Sequence, residues 1–65
     1  MKLRDLLRRI GEEGAVLVRH GSNHDWYRNV ITGIMEAVPR HREVKEPTAL
    51  RIIKRLSTPD PESPQ

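Results

Sequence analysis

The sequence contains no cysteine and no phenylalanine, and its only large aromatic residues are Trp26 and Tyr27. Without cysteine, neither a disulfide nor a cysteine-based zinc site can stabilise the fold. A domain of this size buries only about 60% of the surface that its unfolded chain exposes, so its stability depends on a small, mainly aliphatic core. Binding of a partner would add stability by mass action.

Long apolar segments are also absent. No run approaches the length of a membrane span, and the first residues lack the uninterrupted apolar stretch of an export signal. We therefore expect a cytoplasmic protein without a membrane partner.

Positive charge is concentrated in the first 56 positions. All 12 Lys and Arg residues lie there with seven of the nine acidic residues, an excess of five positive charges. Such a basic body attracts polyanions, including nucleic acids. The alternative is a soluble surface with a mild basic bias, since an excess of this size is common.

Apolar residues recur at helical spacing near both ends of the chain. The two stripes consist of Leu3, Leu6, Leu7 and Ile10, and of Ala49, Ile52, Ile53 and Leu56. The i, i+3, i+4, i+7 pattern predicts two amphipathic helices. Pro47 fits the first turn of the second helix, where the missing N–H costs no hydrogen bond. The cations Arg51, Lys54 and Arg55 are interpreted as its solvent-exposed side.

Three short segments between the helices have the composition of strands. They are residues 15–20, 24–28 and 34–38, and Pro39 follows the last one. The short connections at 21–23 and 29–33 predict an antiparallel meander.

The predicted architecture is an α+β fold with the order α-β-β-β-α. Each helix has one apolar stripe, so the simplest packing places both helices on one face of a three-stranded antiparallel sheet. The domain is expected to span residues 1–56. Residues 57–65 contain three prolines and no apolar side chain, which predicts a disordered tail.

His24 is the leading candidate for chemistry, because imidazole can accept and return a proton near neutral pH. In RNA cleavage, such a base removes the proton of a ribose 2′-OH. Alternation along a strand places His24, Trp26 and Arg28 on one face and Asp25 and Tyr27 on the other, with Arg28 as a cation beside His24. The plainer alternative is a surface histidine next to a turn.

Other residues are candidates for RNA binding. We favour Tyr27 in the core and Trp26 exposed, where Trp26 could stack on bases. The connector after the third strand offers phosphate contacts from Arg40, His41, Arg42 and Lys45, although it also has the composition of a solvated loop. His20 and His41 are the other candidates for the catalytic histidine, and each has the same alternative of a solvated loop residue. The spacing of the three histidines matches no metal-ligand pattern, so neither a metal site nor a cofactor is expected.

Several motifs occur together in one order. They are residues 2–7, the strand at 16–19, G-S-N-H-D-W-Y at 21–27, V-P-R-H at 38–41 and the helix at 48–54. In these motifs the chain resembles the HicA family, the toxins of type II toxin–antitoxin modules. The resemblance covers about residues 2–56. Asn23 departs from the Gly, Ser or Lys that many members have near the turn.

The resemblance implies a fold like that of double-stranded-RNA-binding domains and a metal-independent mRNA interferase that inhibits translation. The family's catalytic histidine corresponds to His24, three residues before Tyr27, with Gly21 and Ser22 shaping the turn. The expected partners are mRNA and a HicB-type antitoxin that covers the active site, so the toxin would be monomeric alone and hetero-oligomeric with the antitoxin. The alternative is a non-catalytic RNA-binding or antitoxin-binding module of the same fold.

Overall fold

The predicted order of elements is confirmed in a computed structural model that describes residues 1–57. The elements are α1 (Leu3–Glu12), β1 (Ala15–His20), β2 (His24–Asn29), β3 (Met35–Pro39) and α2 (Glu46–Leu56). The expectation of a disordered tail at 57–65 concerns residues that, after Ser57, lie outside the described range. Neither helix in residues 1–57 is long and apolar enough to cross a membrane.

The three strands form an antiparallel meander with β2 in the centre. The pairing of β1 with β2 is interrupted by a bulge at Val18, because Leu17 pairs with Tyr27 whereas Arg19 already pairs with Trp26. One extra residue in a strand reverses the faces of the residues that follow it. The bulge therefore places Arg19 on the face of Trp26, and it aligns His20 with Asp25.

The strand β2 itself is regular, and its pairing with β3 runs without interruption from His24 to Arg28. The predicted alternation is therefore confirmed. Tyr27 is partly buried and packs against the core, on the face that the helices cover, which we call the inner face. His24, Trp26 and Arg28 lie on the opposite, outer face.

The core is aliphatic and lies between the inner face and both helices. Its buried members are Leu6, Ile10, Ala15, Val38, Val44, Ala49, Ile52 and Leu56. Both predicted helical stripes contribute to this set, so the packing of the two helices on one face follows from their hydrophobic spacing.

Within residues 1–57, Asn29 is the one buried polar residue, and it has no exposed surface. Its Nδ2 donates to the carbonyl oxygens of Glu13, at 2.8 Å, and Leu56, at 2.7 Å. Its Oδ1 accepts from the backbone N–H groups of Ile31, at 2.8 Å, and Thr32, at 3.1 Å. One amide thus joins the ends of both helices to the connection after β2. The predicted connection at 29–33 includes Asn29, whereas in the structure Asn29 is the last residue of β2.

The connector between β3 and α2 is held by the first residues of the chain. Leu3 donates its backbone N–H to the Arg42 carbonyl, at 2.9 Å, and Val44 donates to the Met1 carbonyl, at 2.8 Å. Val44 also buries its side chain in the core. The connector therefore has a defined path, unlike a solvated loop.

We expect Asn29→Asp to destabilise the protein by about 2–4 kcal/mol, because the isosteric carboxylate cannot donate hydrogen bonds to the two helix-end carbonyls. Urea unfolding followed by circular dichroism measures this difference. Asn23→Asp is the matched control, since Asn23 is exposed in the turn before β2 and should change stability by less than about 0.5 kcal/mol. Equal stability of the two variants would show that the Asn29 amide does not join the elements.

Candidate functional site

The turn before β2 is closed by a backbone hydrogen bond from the Gly21 N–H to the His24 carbonyl oxygen, at 2.7 Å. A Cβ atom at Gly21 would lie 2.7 Å from that same oxygen. Only glycine allows this approach, because real Cβ atoms do not come so close to a backbone oxygen. The predicted role of Gly21 in shaping the turn therefore has a steric basis.

His24 is the first residue of β2 and pairs with Pro39 of β3. Its side chain is exposed on the outer face. None of the side-chain hydrogen bonds found within residues 1–57 involves its imidazole, so both ring nitrogens are available to a ligand.

An open pocket of about 470 Å³ lies at the β3 edge, between that strand, the connector and α2. Its lining residues are His24, Glu36, Ala37, Pro39, His41, Glu43, Val44, Lys45, Thr48 and Arg51. Three of the predicted site residues, His24, His41 and Lys45, thus come together. The pocket is large enough for a small ligand or for one nucleotide of a longer one.

Thr48 and Arg51 also line the pocket, and neither is among the predicted site residues. Lys45, Thr48 and Arg51 are spaced by three residues, and this spacing places side chains on one side of a helix. This three-residue spacing is the sequence feature that could have predicted their common position. The sequence alone predicts that Arg51, like Lys54 and Arg55, belongs to the solvent-exposed side of the helix.

The two carboxylates of the pocket have cationic partners at its margins. Glu36 contacts the guanidinium of Arg55, at 3.3 Å, and Glu43 contacts the Met1 ammonium, at 2.9 Å. Within residues 1–57, no ion pair joins Lys45 or Arg51 to a carboxylate. The positive charge of these two side chains therefore remains available to an anion in the pocket.

The exposed guanidinium of Arg40 is bound by two groups of the protein, and its predicted contact with phosphate stays a prediction. Its guanidinium donates to the Asp25 carboxylate, at 2.7 Å, and to the Ser22 carbonyl oxygen. His20 Nδ1 contacts the same carboxylate oxygen, at 2.8 Å. Asp25 thus joins the end of β1 and the start of the connector to the turn before β2. Ser22 shapes this turn through its backbone carbonyl, which accepts the hydrogen bond from Arg40.

The contacts of Asp25 alter its ionisation. The hydrogen bond to His20, followed by the contacts with Arg40, holds the pKa of the Asp25 carboxyl below its ordinary value, although partial burial acts in the opposite direction. Burial and the nearby charge of Asp25 raise the pKa of Tyr27. Tyr27 is therefore a neutral core residue at physiological pH.

Trp26 lies on the outer face beneath Arg19, whose guanidinium carbon is 5.5 Å from the indole centroid. This distance is within the range of cation–π attraction. Arg19 was not among the predicted site residues, because its place over Trp26 depends on the bulge at Val18.

Two predicted cations are separated from His24. Arg28 shares the outer face, but it lies four residues along the strand and pairs with Met35 at the opposite end of β3. This offset corresponds to about 13 Å, so Arg28 is not the expected neighbour of His24. Arg42 lines a different depression together with Lys2, Arg4 and Leu7.

Within residues 1–57, no group of three His, Cys, Asp or Glu side chains is arranged to hold a metal ion. Comparison of the chain with protein-family models, curated proteins and solved structures finds no match in any of the three. The resemblance to the HicA family therefore stays a prediction from the sequence motifs.

We expect the stability difference between the wild type and Asp25→Asn to depend on pH. A carboxyl group with a lowered pKa in the folded state stabilises the fold above its ordinary value of 3.8, and this contribution disappears as the pH falls through the folded-state pKa. The difference in Tm should be largest near neutral pH and should shrink below about pH 4. Ser22→Ala keeps the backbone carbonyl that Arg40 uses, so its difference from wild type should not vary in this way. A constant difference for Asp25→Asn would contradict the role of the carboxylate.

We expect Gly21→Ala to destabilise the protein by about 1–3 kcal/mol, because the new methyl group would overlap the His24 carbonyl oxygen. Thermal unfolding measures the loss. Gly11→Ala provides the comparison, since a Cβ at Gly11 meets no atom within 4 Å and alanine favours a helix. A Gly21→Ala variant as stable as wild type would show that the turn can relax without cost.

Proposed function

We propose that the chain is a HicA-like toxin of a type II toxin–antitoxin module, a metal-independent endoribonuclease that cleaves mRNA and inhibits translation. The observation that carries the proposal is the common pocket of His24, His41, Lys45 and Arg51. It combines a proton acceptor with fixed positive charge, which is what cleavage of a phosphodiester requires. An mRNA substrate implies a cytoplasmic location.

His24 acts in this proposal as the general base. Its imidazole removes the proton of a ribose 2′-OH, and the resulting oxygen attacks the adjacent phosphorus. Negative charge then increases on the phosphoryl oxygens. Lys45 and Arg51 offset that charge from the α2 side of the pocket, so the chemistry needs no metal ion or other cofactor.

The outer face offers a path for the RNA strand beyond the pocket. Trp26, covered on one side by Arg19, lies two residues from His24 on the same face. Aromatic and guanidinium planes stack on bases with little regard to sequence. Arg28, farther along, and Arg42, in its separate depression, would contact more distant phosphates and would contribute to affinity without acting at the cleaved bond.

A HicB-type antitoxin is the proposed protein partner, and the free toxin would be a monomer. The strand β1 is an edge of the sheet, and Val16, Leu17 and Val18 are 46%, 44% and 43% exposed. Three consecutive exposed apolar residues on an unpaired edge are typical of a surface that another chain covers. A hetero-oligomer with the antitoxin would bury them.

The second candidate is a module of the same fold that binds RNA or the antitoxin without cleaving RNA. The uncovered outer face favours it, since Val16 and Met35 flank Arg28 there and remain exposed. A sheet face of mixed apolar and basic character can bind a partner without any contribution from His24.

We expect His24→Ala to lower the rate of RNA cleavage by about 10²–10⁴-fold, because it removes the proton acceptor. The assay is cleavage of an RNA oligonucleotide in the presence of EDTA, together with growth arrest after induced expression. Asn23→Ala is the control, since it changes an exposed side chain next to His24 that does not line the pocket and should keep the activity.

The two candidates differ in the outcome of this experiment. Wild-type protein that retains RNA on a filter without cleaving it, with the same affinity as His24→Ala, would favour the binding module. Equal growth arrest by wild type and His24→Ala would show that His24 is not the catalytic residue.

A further inference from the structure

The two histidines of the pocket come from different parts of the fold. His24 begins β2, whereas His41 lies in the connector after β3, and both side chains are exposed. His20, the third histidine, does not line the pocket, and its Nδ1 is engaged by the Asp25 carboxylate. The pocket therefore contains two imidazoles without a carboxylate partner in the described residues.

The residues on both sides of His41 are bound by contacts that do not involve the His41 ring. Arg40, before it, is bound to Asp25 and to the Ser22 carbonyl, which belong to the turn that carries His24. Arg42, after it, accepts a backbone hydrogen bond from Leu3, at 2.9 Å. These contacts hold His41 in place relative to His24. Such positioning is required of a pair of groups that act on one substrate.

We propose that His41 is the second acid–base group of the reaction and that Lys45, Thr48 and Arg51 form the subsite for the scissile phosphate of a single-stranded RNA. This inference rests on the proposed function and adds to it the group that protonates the leaving oxygen. The three subsite residues follow one another at helical spacing along the same wall of the pocket.

In the cleavage step, one imidazole accepts a proton and the other donates one. His24 takes the proton from O2′, the O2′–P bond forms, and the P–O5′ bond breaks. His41, which enters the step protonated, gives its proton to O5′. The products are a 2′,3′-cyclic phosphate end and a 5′-hydroxyl end, and exchange with solvent returns both imidazoles to their starting states.

Substrates with different leaving groups test the role of His41. In RNA with sulfur in place of the bridging O5′ atom, the leaving thiolate needs no proton. We expect His41→Ala to lower cleavage of ordinary RNA by about 10²–10⁴-fold and to cleave the sulfur-bridged RNA at close to the wild-type rate. His24→Ala should be slow on both substrates, because the 2′-OH still needs a base.

The remaining outcomes distinguish failure of the His41 assignment from failure of the proposed function. His41→Ala that is equally slow on both substrates, or unimpaired on both, overturns the assignment of His41 while the ribonuclease proposal stands. Wild-type protein that cleaves neither substrate overturns the proposed function itself. His41→Gln is measured in parallel, and both variants are checked by circular dichroism.

The phosphate subsite is tested by binding of inorganic phosphate to the full chain, followed by NMR. Ring-proton signals of His24 and His41 should shift on titration, while those of His20 should not, and this readout needs no variant. Arg51→Gln should weaken phosphate binding several-fold, whereas Lys54→Gln, one turn farther along α2 and outside the pocket, should leave it unchanged. Equal effects of the two substitutions, or a shift confined to His20, overturn the subsite.

Discussion

The fold depends on the Asn29 side chain more than on any other single polar group. Its amide donates to the carbonyls that end each helix, and its oxygen closes the connection between β2 and β3. These groups lie far apart in sequence, so one buried residue sets the relative position of both helices and the central strand. Without disulfides or aromatic bulk beyond Tyr27 in the core, the protein has few other means to define that arrangement.

Much of this architecture was predictable, because the two helical stripes and the strand composition are local signals. The order α-β-β-β-α follows from these signals, and alternation places Trp26 and Tyr27 on opposite faces of their strand without deciding which of the two is buried. Asn29 was different, since asparagine at the start of a short connection is an ordinary turn residue. Its buried role depends on helix ends that come together only in the tertiary fold. The bulge at Val18 could not be predicted either, because it lies within a uniform apolar run. The contact of Arg19 with Trp26 depends on this bulge, so it could not be predicted from the sequence.

The basic connector shows why composition alone could not define the site. Its cations are adjacent in sequence, yet the fold gives them different surroundings. Arg40 is bound to Asp25 beside the turn, Arg42 faces a separate depression, and Lys45 reaches the pocket of His24 and His41. Short-range periodicity along α2 adds Arg51 to that pocket. The cations that line the pocket with His24 are therefore Lys45 of the connector and Arg51 of α2, and not Arg28 on its own strand.

The bulge at Val18 also affects how the protein can associate with other chains. Three exposed apolar residues on a regular edge strand would invite indiscriminate pairing with any extended segment, including the same strand of a second molecule. An extra residue interrupts the even row of backbone donors and acceptors along that edge. A strand that docks there must match the interruption, so the bulge restricts which strands can pair with this edge.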